Sequence, residues 1–402
     1  MAAEGLNGRG TGGTPMQALL ASAAREAGFL LRSPWDLALV TWIPCALLVL
    51  MAWLFSAGVP RGLPIAVVDL DHSATSRELV RRLQAAPGLD VAARPVSLEA
   101  AFSDARALRV YAVVHVPAGS GREVLRGGSA TVFSWFNASY QVAGQAAERD
   151  IADAVQATSA RLALTAVAPV RGPGSVRAAP VAAQTGVLFN PGRSYEHFLL
   201  ALLFPAILHL ALCMAVVGAF GRELRDATVQ AWLGDGRGRL LVASTAGKLA
   251  PYLLLFTLYG CLGLAWLAGV RGGGVAGSAT ALVLGQLLLY LAYAAVALLL
   301  VAATRNMASA LSLAGLYAGA SLAYSGATFP TAGGSLFVRL WSELLPFTAY
   351  LKLQAQQMDV GSPLAVSARP AGAMLLYTML VGAAGLLLYA RAARDPAAWG
   401  RR

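Results

Sequence analysis

Charged residues are scarce in this chain. Only 13% of its 402 residues are Asp, Glu, Lys or Arg, whereas 57% are hydrophobic. Because a soluble globular protein carries about 25% charged residues, this composition excludes that class and predicts an integral membrane protein. The formal net charge is +11. We assign this excess of Lys and Arg to cytoplasmic membrane ends rather than to nucleic-acid binding.

Cysteine is also rare, and its three copies, Cys45, Cys213 and Cys261, all fall in apolar stretches. We therefore expect neither a disulfide nor a Cys-based metal site in the polar part of the chain. The sequence also lacks a phosphate-binding loop G-x-x-x-x-G-K-[ST]. Gly247-Lys248 matches its G-K pair, but Val242 stands where the first Gly is required and Leu249 stands where Ser or Thr is required. The chain is expected to hydrolyse no ATP, and we predict no catalytic residue and no metal site.

The first long apolar run covers residues 37–57 and holds no charge. At about 1.5 Å per residue it just crosses a hydrocarbon core of about 30 Å. We interpret it as an uncleaved first transmembrane helix, because no clean cleavage site follows it. Residues 1–36 before it form a cytoplasmic tail, in which residues 16–32 are predicted to be an amphipathic helix on the membrane surface.

Residues 58–196 have the pattern of a water-soluble α/β domain. Predicted strands at 64–70, 89–96, 110–116 and 130–137 alternate with predicted helices at 73–86, 98–108, 122–126 and 141–168. Such alternation implies layers of helices on an at least partly parallel sheet. Ser73 is a candidate N-cap, and Thr75 with Glu78 has capping-box spacing. Residues 169–180, rich in Pro, Gly and Arg, are predicted to be a linker.

Residues 197–402 return to membrane-grade hydrophobicity. Five further spans are predicted at 198–220, 249–270, 279–303, 308–324 and 371–390, which gives about six transmembrane helices with the first. The fold class is thus a polytopic α-helical membrane protein with a large α/β domain between its first two spans. Residues 221–248 and 325–351 are too polar to be spans, and we interpret them as a cytoplasmic coupling segment and an outer re-entrant segment.

The distribution of basic residues predicts the orientation. With a cytoplasmic N-terminus, the outer short loops hold only Arg271, Arg339, Lys352 and Arg369. The cytoplasmic pieces then hold Arg9, Arg25, Arg32, Arg222, Arg225, Arg237, Arg239, Lys248, Arg305, Arg391, Arg394, Arg401 and Arg402. The positive-inside rule therefore predicts cytoplasmic termini and an extracytoplasmic α/β domain.

Several passages, in order along nearly the whole chain, resemble one known family. They are REAGFLLRSPWDLAL at 25–39, LPIAVVDLDHSATSRELVRRL at 63–83, FGRELRDATVQAWL at 220–233, GKLAPY at 247–252, SGATFP at 325–330 and LLPFTAYL at 344–351. Together they resemble the permease subunits of type 2 ABC exporters, of the bacterial multidrug- and lipid-exporter kind. One departure is Ala227 before Thr228, where the family's Glu-x-x-x-Gly-Thr pattern has Gly.

The resemblance implies a permease of a bacterial inner-membrane exporter that moves a hydrophobic or amphiphilic substrate outward. The implied partners are a cytoplasmic ABC ATPase subunit, a second permease copy or paralogue, a periplasmic adaptor protein and the lipid bilayer, with no nucleic acid. The chain itself is expected to bind no cofactor, and ATP and Mg would be bound by the partner ATPase. The alternative is a non-transporting membrane receptor or assembly anchor that acts through its extracytoplasmic domain.

Two sets of candidate site residues follow from this resemblance. The proposed ATPase-coupling residues are Arg222, Glu223, Arg225, Asp226 and Thr228, and the alternative is that these charges only terminate a span. The proposed outer-gate residues are Ser325, Gly326, Phe329, Pro330 and Glu343, and the alternative is a plain packed loop. For Glu343 the favoured interpretation is an interfacial ion pair with Arg339. His209 is expected to form a hydrogen bond across helices.

Overall fold

A computed structural model describes residues 14–56, 61–126, 128–137, 141–162, 194–234, 237–328, 331 and 333–400. The chain divides into two compact units, one of Met1–Ser56 with Glu196–Arg402 and the other of Ala57–Tyr195. The elements of the first half are, in order, α1 Pro15–Arg32, α2 Pro34–Val40, α3 Trp42–Leu54, β1 Leu63–Asp69, α4 Ala74–Ala85, β2 Leu89–Ala93, α5 Leu98–Arg106, β3 Ala112–Val116, α6 Ser120–Leu125, β4 Phe133–Phe136 and α7 Gln141–Leu162.

The second half is helical wherever the structure describes regular elements. They are α8 Tyr195–Arg225, α9 Val229–Leu233, α10 Arg239–Ala265, α11 Ala279–Thr304, α12 Met307–Tyr324, α13 Leu336–Leu344, α14 Pro346–Ala355 and α15 Leu364–Ala392. Single π-helical turns, Trp266–Val270 and Gln356–Val360, extend α10 and α14, and a short 3₁₀ turn, Pro396–Ala398, follows α15.

Six helices in the described part of the chain are long and apolar enough to cross a membrane. They are Pro34–Leu54, Tyr195–Arg225, Arg239–Val270, Ala279–Thr304, Met307–Tyr324 and Leu364–Ala392. This agrees with the predicted polytopic membrane protein. The first of them is interrupted at Thr41, just before Pro44, whose missing N–H weakens the helix there. Tyr259 of α10 donates a hydrogen bond of 3.0 Å to the Thr41 carbonyl.

Residues 221–248, interpreted above as a separate polar segment, belong mostly to longer helices. α8 continues to Arg225, and α10 already begins at Arg239. Charged residues lower the hydropathy that marks a span, but they do not end a helix when their charges are paired within the protein. The predicted span limits at 220 and 249 are therefore not the ends of the helices that contain these spans.

Pro205 lies inside α8 and cannot donate a backbone hydrogen bond to the carbonyl of Ala201. Gln354 of α14 supplies the missing donor, with its Nε2 atom 2.7 Å from the Ala201 oxygen. A neighbouring helix thus satisfies the carbonyl freed by this proline.

The second unit contains a four-stranded sheet in the order β2-β1-β3-β4. β1 pairs in parallel with β2 and β3, and β4 pairs antiparallel to β3. Ile65 and Val67 of β1 point to the face covered by α4 and α7. Ala66 and Val68 point to the opposite face, which is covered by α5. The sheet thus lies between two helical layers.

Local details of this unit differ from the prediction. Ser73 caps α4 as expected, its Oγ accepting from the Ser76 N–H at 3.1 Å. The capping box of Thr75 with Glu78 does not form, because the N-cap is Ser73 and Thr75 already lies inside α4. Glu78 pairs with arginines instead. β2 ends at Ala93 rather than 96, since Pro95 has no N–H to donate to a neighbouring strand. The end of the predicted helix 141–168 and the linker 169–180 lie outside the described residues.

Candidate functional site

Helix α1 turns a polar face to the membrane unit. Its buried residues are Ser22, Glu26 and Leu30, which recur every four residues and so lie on one face. Apolar residues point outward instead, with Leu20 59% and Leu31 75% exposed. α1 packs on α10 so closely that a Cβ on Gly247 would lie 2.1 Å from the Leu19 carbonyl oxygen. Only Gly fits there. The exposed apolar side chains suit a helix at a membrane surface.

Glu26 is the centre of the polar contact between α1 and the spans. Its Oε2 lies 2.6 Å from Nζ of Lys248, and its Oε1 accepts a hydrogen bond of 2.5 Å from the Tyr252 hydroxyl. Arg222 of α8 also donates to Oε1. One carboxylate of α1 therefore contacts both α8 and α10.

Glu223 forms the second centre. Its Oε1 lies 2.7 Å from both Lys248 Nζ and Arg25 Nη1, and Arg25 Nη2 donates to Oε2 at 3.1 Å. The Thr228 hydroxyl donates to Oε2 at 2.6 Å. Lys248 thus bridges the two carboxylates. We refer to Arg25, Glu26, Arg222, Glu223, Lys248 and Tyr252 as the Glu26 cluster.

Burial makes these contacts energetically important. Glu26, Glu223 and Lys248 are at most 2% exposed, and an unpaired charge at such a site would be unfavourable by several kcal/mol. The Arg222 guanidinium stacks 3.5 Å above the centroid of the Phe29 ring, and its Nη1 has no partner among the described residues. Breaking one pair is expected to destabilise this region by about 3–5 kcal/mol.

The five predicted coupling residues occupy different surroundings. Arg222 and Glu223 are buried in the Glu26 cluster, and Thr228 supports Glu223. Arg225 and Asp226 are exposed and pair with each other at 2.8 and 3.1 Å. The hydrogen bond from Arg225 holds the pKa of the Asp226 carboxyl below its usual value.

The site residues predicted from sequence did not include Arg25, Glu26, Lys248 and Tyr252. The available signal was the adjacent pair Arg25-Glu26, which stands inside an otherwise apolar helical repeat. Its partner Lys248 is 222 residues from Glu26 along the chain, so the sequence pattern did not identify the pair.

The turn after α8 has an unusual residue. The Thr228 N–H donates to the Glu223 carbonyl at 3.0 Å, and the Ala227 N–H donates to the Leu224 carbonyl at 3.3 Å. This is a Schellman motif, whose left-handed position normally holds Gly. Ala227 occupies it with φ of +55°. Ala227, which stands where the family has Gly, is therefore the residue of this turn whose backbone is strained.

A cavity of about 460 Å³ opens beside the Glu26 cluster, between α1 and the end of α8. Arg25, Arg32, Glu223 and Asp226 are among the residues that line it. Other contacts close the same end of the membrane unit. Arg305 pairs with Asp395 at 2.8 Å, and the Gly400 N–H donates to the Leu224 carbonyl at 3.0 Å.

The comparison with known families agrees with these features. Residues 34–387 match the family model described as ABC-2 family transporter protein. This chain belongs to the ABC-2 family of transporter proteins. The match covers five of the six candidate spans in full and the last one up to residue 387, so the chain is a multi-pass membrane protein and an ABC transporter permease. ABC-2 permeases generally pair with a separate ATPase subunit. None of the curated proteins matches the chain.

The predicted gate residues that the structure describes lie at the far end of this ABC-2 permease. Ser325 follows α12, where its hydroxyl donates to the Leu322 carbonyl at 2.7 Å, and Gly326 has φ of +79°. Phe329 and Pro330 lie outside the described residues.

The predicted pair of Glu343 with Arg339 was wrong. Glu343 pairs with Lys352 at 2.5 Å, and its side chain is 72% exposed. Glu343 lies near the end of α13, and Leu345 separates it from α14, so the chain turns there and brings Lys352 of α14 into reach. The segment 325–351 is also not uniform, since α13 exposes apolar side chains whereas Phe347 and Tyr350 of α14 are fully buried.

His209 lies inside the permease and forms the expected hydrogen bond across helices. Its Nε2 is 3.1 Å from the Ala318 carbonyl of α12, and its Nδ1 is 2.7 Å from the Pro205 carbonyl of its own helix. Both partners are carbonyl oxygens, and a neutral imidazole donates from only one nitrogen, so the ring can donate to one of these two carbonyls at a time. The ring also packs against Tyr293 and Phe347, with centroids 4.2 and 4.7 Å away. These contacts favour a packing role.

Proposed function

We propose that this permease belongs to an exporter that moves a hydrophobic or amphiphilic substrate, such as a drug or a lipid, out of the cytoplasm. A separate ATPase subunit would bind ATP and Mg and supply the energy. The single observation that carries this proposal is the Glu26 cluster. It connects a surface helix to two membrane-spanning helices through buried, mutually paired charges.

The continuity of α8 explains how such a cluster serves transport. α8 is one helix from Tyr195 to Arg225, so Glu223 and the apolar part of the span belong to one rigid element. Lys248 likewise lies within α10. A displacement of α1 by the ATPase would be carried to both spans through Glu26 and Glu223, because buried ion pairs resist separation.

The charge distribution supports a cytoplasmic location for the Glu26 cluster. Basic residues gather at the cluster's end of the spans, and under the positive-inside rule this end lies in the cytoplasm. We therefore propose that both termini are cytoplasmic, that the membrane is the bacterial inner membrane and that the α/β unit is extracytoplasmic.

We propose the exposed surface around α9 as the docking site of the ATPase. Asp226, Gln230, Arg237 and Arg239 are exposed there, whereas buried Glu223 would transmit motion rather than touch the partner. A second permease copy or paralogue and a periplasmic adaptor protein remain part of the proposal, as does an outer gate at Ser325, Gly326, Phe329, Pro330 and Glu343. Membership of a transporter family favours this function over a receptor or an assembly anchor.

Co-purification of the permease from its native membrane tests the proposal. We expect an ABC ATPase, identified by mass spectrometry and by ATP hydrolysis, to accompany the wild type and to be depleted in Asp226→Lys. Arg369→Glu is the matched control, because it reverses an exposed charge at the start of α15. If no ABC ATPase accompanies the wild type, the proposed function is wrong.

A further inference from the structure

The α/β unit has an opening at the carboxyl ends of β1 and β2. These strands are parallel neighbours. The helix after β1, α4, packs on one face of the sheet, and the helix after β2, α5, packs on the other. The two connecting loops therefore diverge. In α/β sheets, a crevice formed where neighbouring loops diverge is the usual place for a ligand.

A cavity of about 440 Å³ occupies this crevice. Asp69 and Leu70 line it from the end of β1, and Arg94 lines it just after β2. His72, Arg77 and Arg81 contribute the remaining charged or titratable side chains. The volume is in the range of small-molecule sites, about 300–1,000 Å³, and the charged side chains of the lining are three arginines and one aspartate.

The one carboxylate of the lining is already engaged by the protein. Asp69 Oδ1 accepts from the N–H groups of Asp71 and His72 at 3.0 and 3.1 Å. Its Oδ2 accepts from the Ser76 hydroxyl at 2.8 Å. Both carboxylate oxygens of Asp69 thus accept hydrogen bonds from residues that follow it in the chain, and Asp69 forms no ion pair with the described arginines of the crevice.

The three arginines of the crevice differ in whether their charge is already paired within the protein. Arg81 pairs with Glu78 at 2.6 Å, and Arg77 is held by the His72 carbonyl at 2.6 Å without neutralisation of its charge. Arg94 makes neither a hydrogen bond nor an ion pair with any residue that the structure describes. Two arginines that line the crevice, Arg77 and Arg94, thus carry charges that no carboxylate of the described residues neutralises.

We infer that this crevice binds a phosphate or carboxylate group of a small ligand. Guanidinium groups match the geometry of these anions and form strong, charge-assisted hydrogen bonds with them. The anion could be free in solution or belong to a phospholipid head group, since the recognising chemistry is the same. The inference does not depend on the proposed transport function, because binding requires neither the ATPase nor a transport cycle.

Isothermal titration calorimetry on the full chain in nanodiscs of phosphatidylcholine tests the inference. The titrants are inorganic phosphate and dihexanoyl phosphatidylglycerol below its micelle concentration. We expect saturable binding of at least one titrant, weakened about tenfold or more by Arg94→Gln, because a hydrogen bond to a charged group contributes on that order. Arg77→Gln should act similarly.

The control is Arg109→Gln in the same unit, where Arg109 pairs with Asp104 at 2.5 Å and lies outside the crevice. It should leave the affinity unchanged. Binding of phosphate alone identifies a free anion, and binding of the lipid alone identifies a head group; both support the site. Absence of saturable binding for both titrants, or equal weakening by Arg109→Gln and Arg94→Gln, overturns it.

Discussion

Lys248 lies 2.6 Å from Glu26, and the two side chains are 1% and 2% exposed. The same ammonium group is 2.7 Å from Glu223. One cation thus bridges two buried carboxylates on different helices, each of which also pairs with an arginine. The stability of the membrane unit should depend on it more than on any ion pair at the surface.

Replacement of the cation measures this dependence. Lys248→Met should lower the free energy of unfolding by about 3–5 kcal/mol, because it leaves two buried carboxylates with fewer partners. Thermal unfolding in detergent provides the measurement. Lys352→Met, which breaks the exposed pair with Glu343, should cost less than about 1 kcal/mol. Equal losses in the two variants would contradict the role of the Glu26 cluster.

The variant Glu223→Gln distinguishes the coupling between helices from the docking of the ATPase. Glu223 is buried and bridges Arg25 of α1 to Lys248 of α10, so its loss should weaken the connection between helices but not the exposed docking surface. We expect the ATPase to co-purify normally while substrate-stimulated ATP hydrolysis falls about tenfold, the effect of roughly 1.4 kcal/mol. Normal stimulation in a folded Glu223→Gln protein would exclude transmission through this residue.

Ala227→Gly should stabilise the protein. Ala227 has φ of +55°, and the left-handed conformation is unfavourable for a residue with a Cβ by roughly 1–2 kcal/mol. Because Gly gains entropy in the unfolded chain, the net gain should be about 0.5–1 kcal/mol, measured as a higher unfolding temperature. Ala383→Gly, in the right-handed interior of α15, should instead destabilise by about 1 kcal/mol. A change of the same sign in the unfolding temperature of both variants would contradict backbone strain at Ala227.

The pair of Pro205 and Gln354 is suited to a double-mutant cycle. Gln354→Leu leaves the Ala201 carbonyl without its donor and should destabilise by about 1–2 kcal/mol. In a Pro205→Ala background the restored N–H can reach the same carbonyl, so the same change should cost less. Additive effects in thermal unfolding would mean that the 2.7 Å contact contributes nothing to stability.

The stability of the α/β unit should depend on pH through Glu78. Hydrogen bonding to Arg81 lowers the pKa of Glu78 in the folded state from its ordinary 4.5. Its contribution is therefore fully present above that ordinary value and is lost as pH falls through the folded-state pKa. The fall in unfolding temperature between pH 6 and pH 3.5 should be smaller in Glu78→Gln. Glu99→Gln on α5 serves as the control, and an equal change in both variants would count against Glu78.

Much of the membrane unit could be predicted because apolar runs long enough to span a membrane are local in sequence. Helix limits were less accurate where charges are paired internally, as at Arg222 and Glu223 in α8. Hydropathy records the charge but not the partner. The partners of these charges could not be predicted from the sequence, since Glu26 and Lys248 come together only through tertiary packing.

The same limit applies to smaller features. Glu343 was assigned to Arg339 by helical spacing, yet the turn at Leu345 brings Lys352 closer. Local rules gave the Ser73 cap correctly because a cap depends on adjacent residues only. The crevice of the α/β unit was not predicted, because it arises from the faces on which α4 and α5 pack.

The separation of Glu26 and Lys248 has a consequence for biogenesis. The ribosome makes Glu26 222 residues before its cation, so α1 emerges long before either span that it contacts. Until α8 and α10 are inserted, the polar face of α1 lacks its partners on those helices, whereas the exposed Leu20 and Leu31 suit a membrane surface. α1 can therefore reach its native position only after α8 and α10 have been inserted.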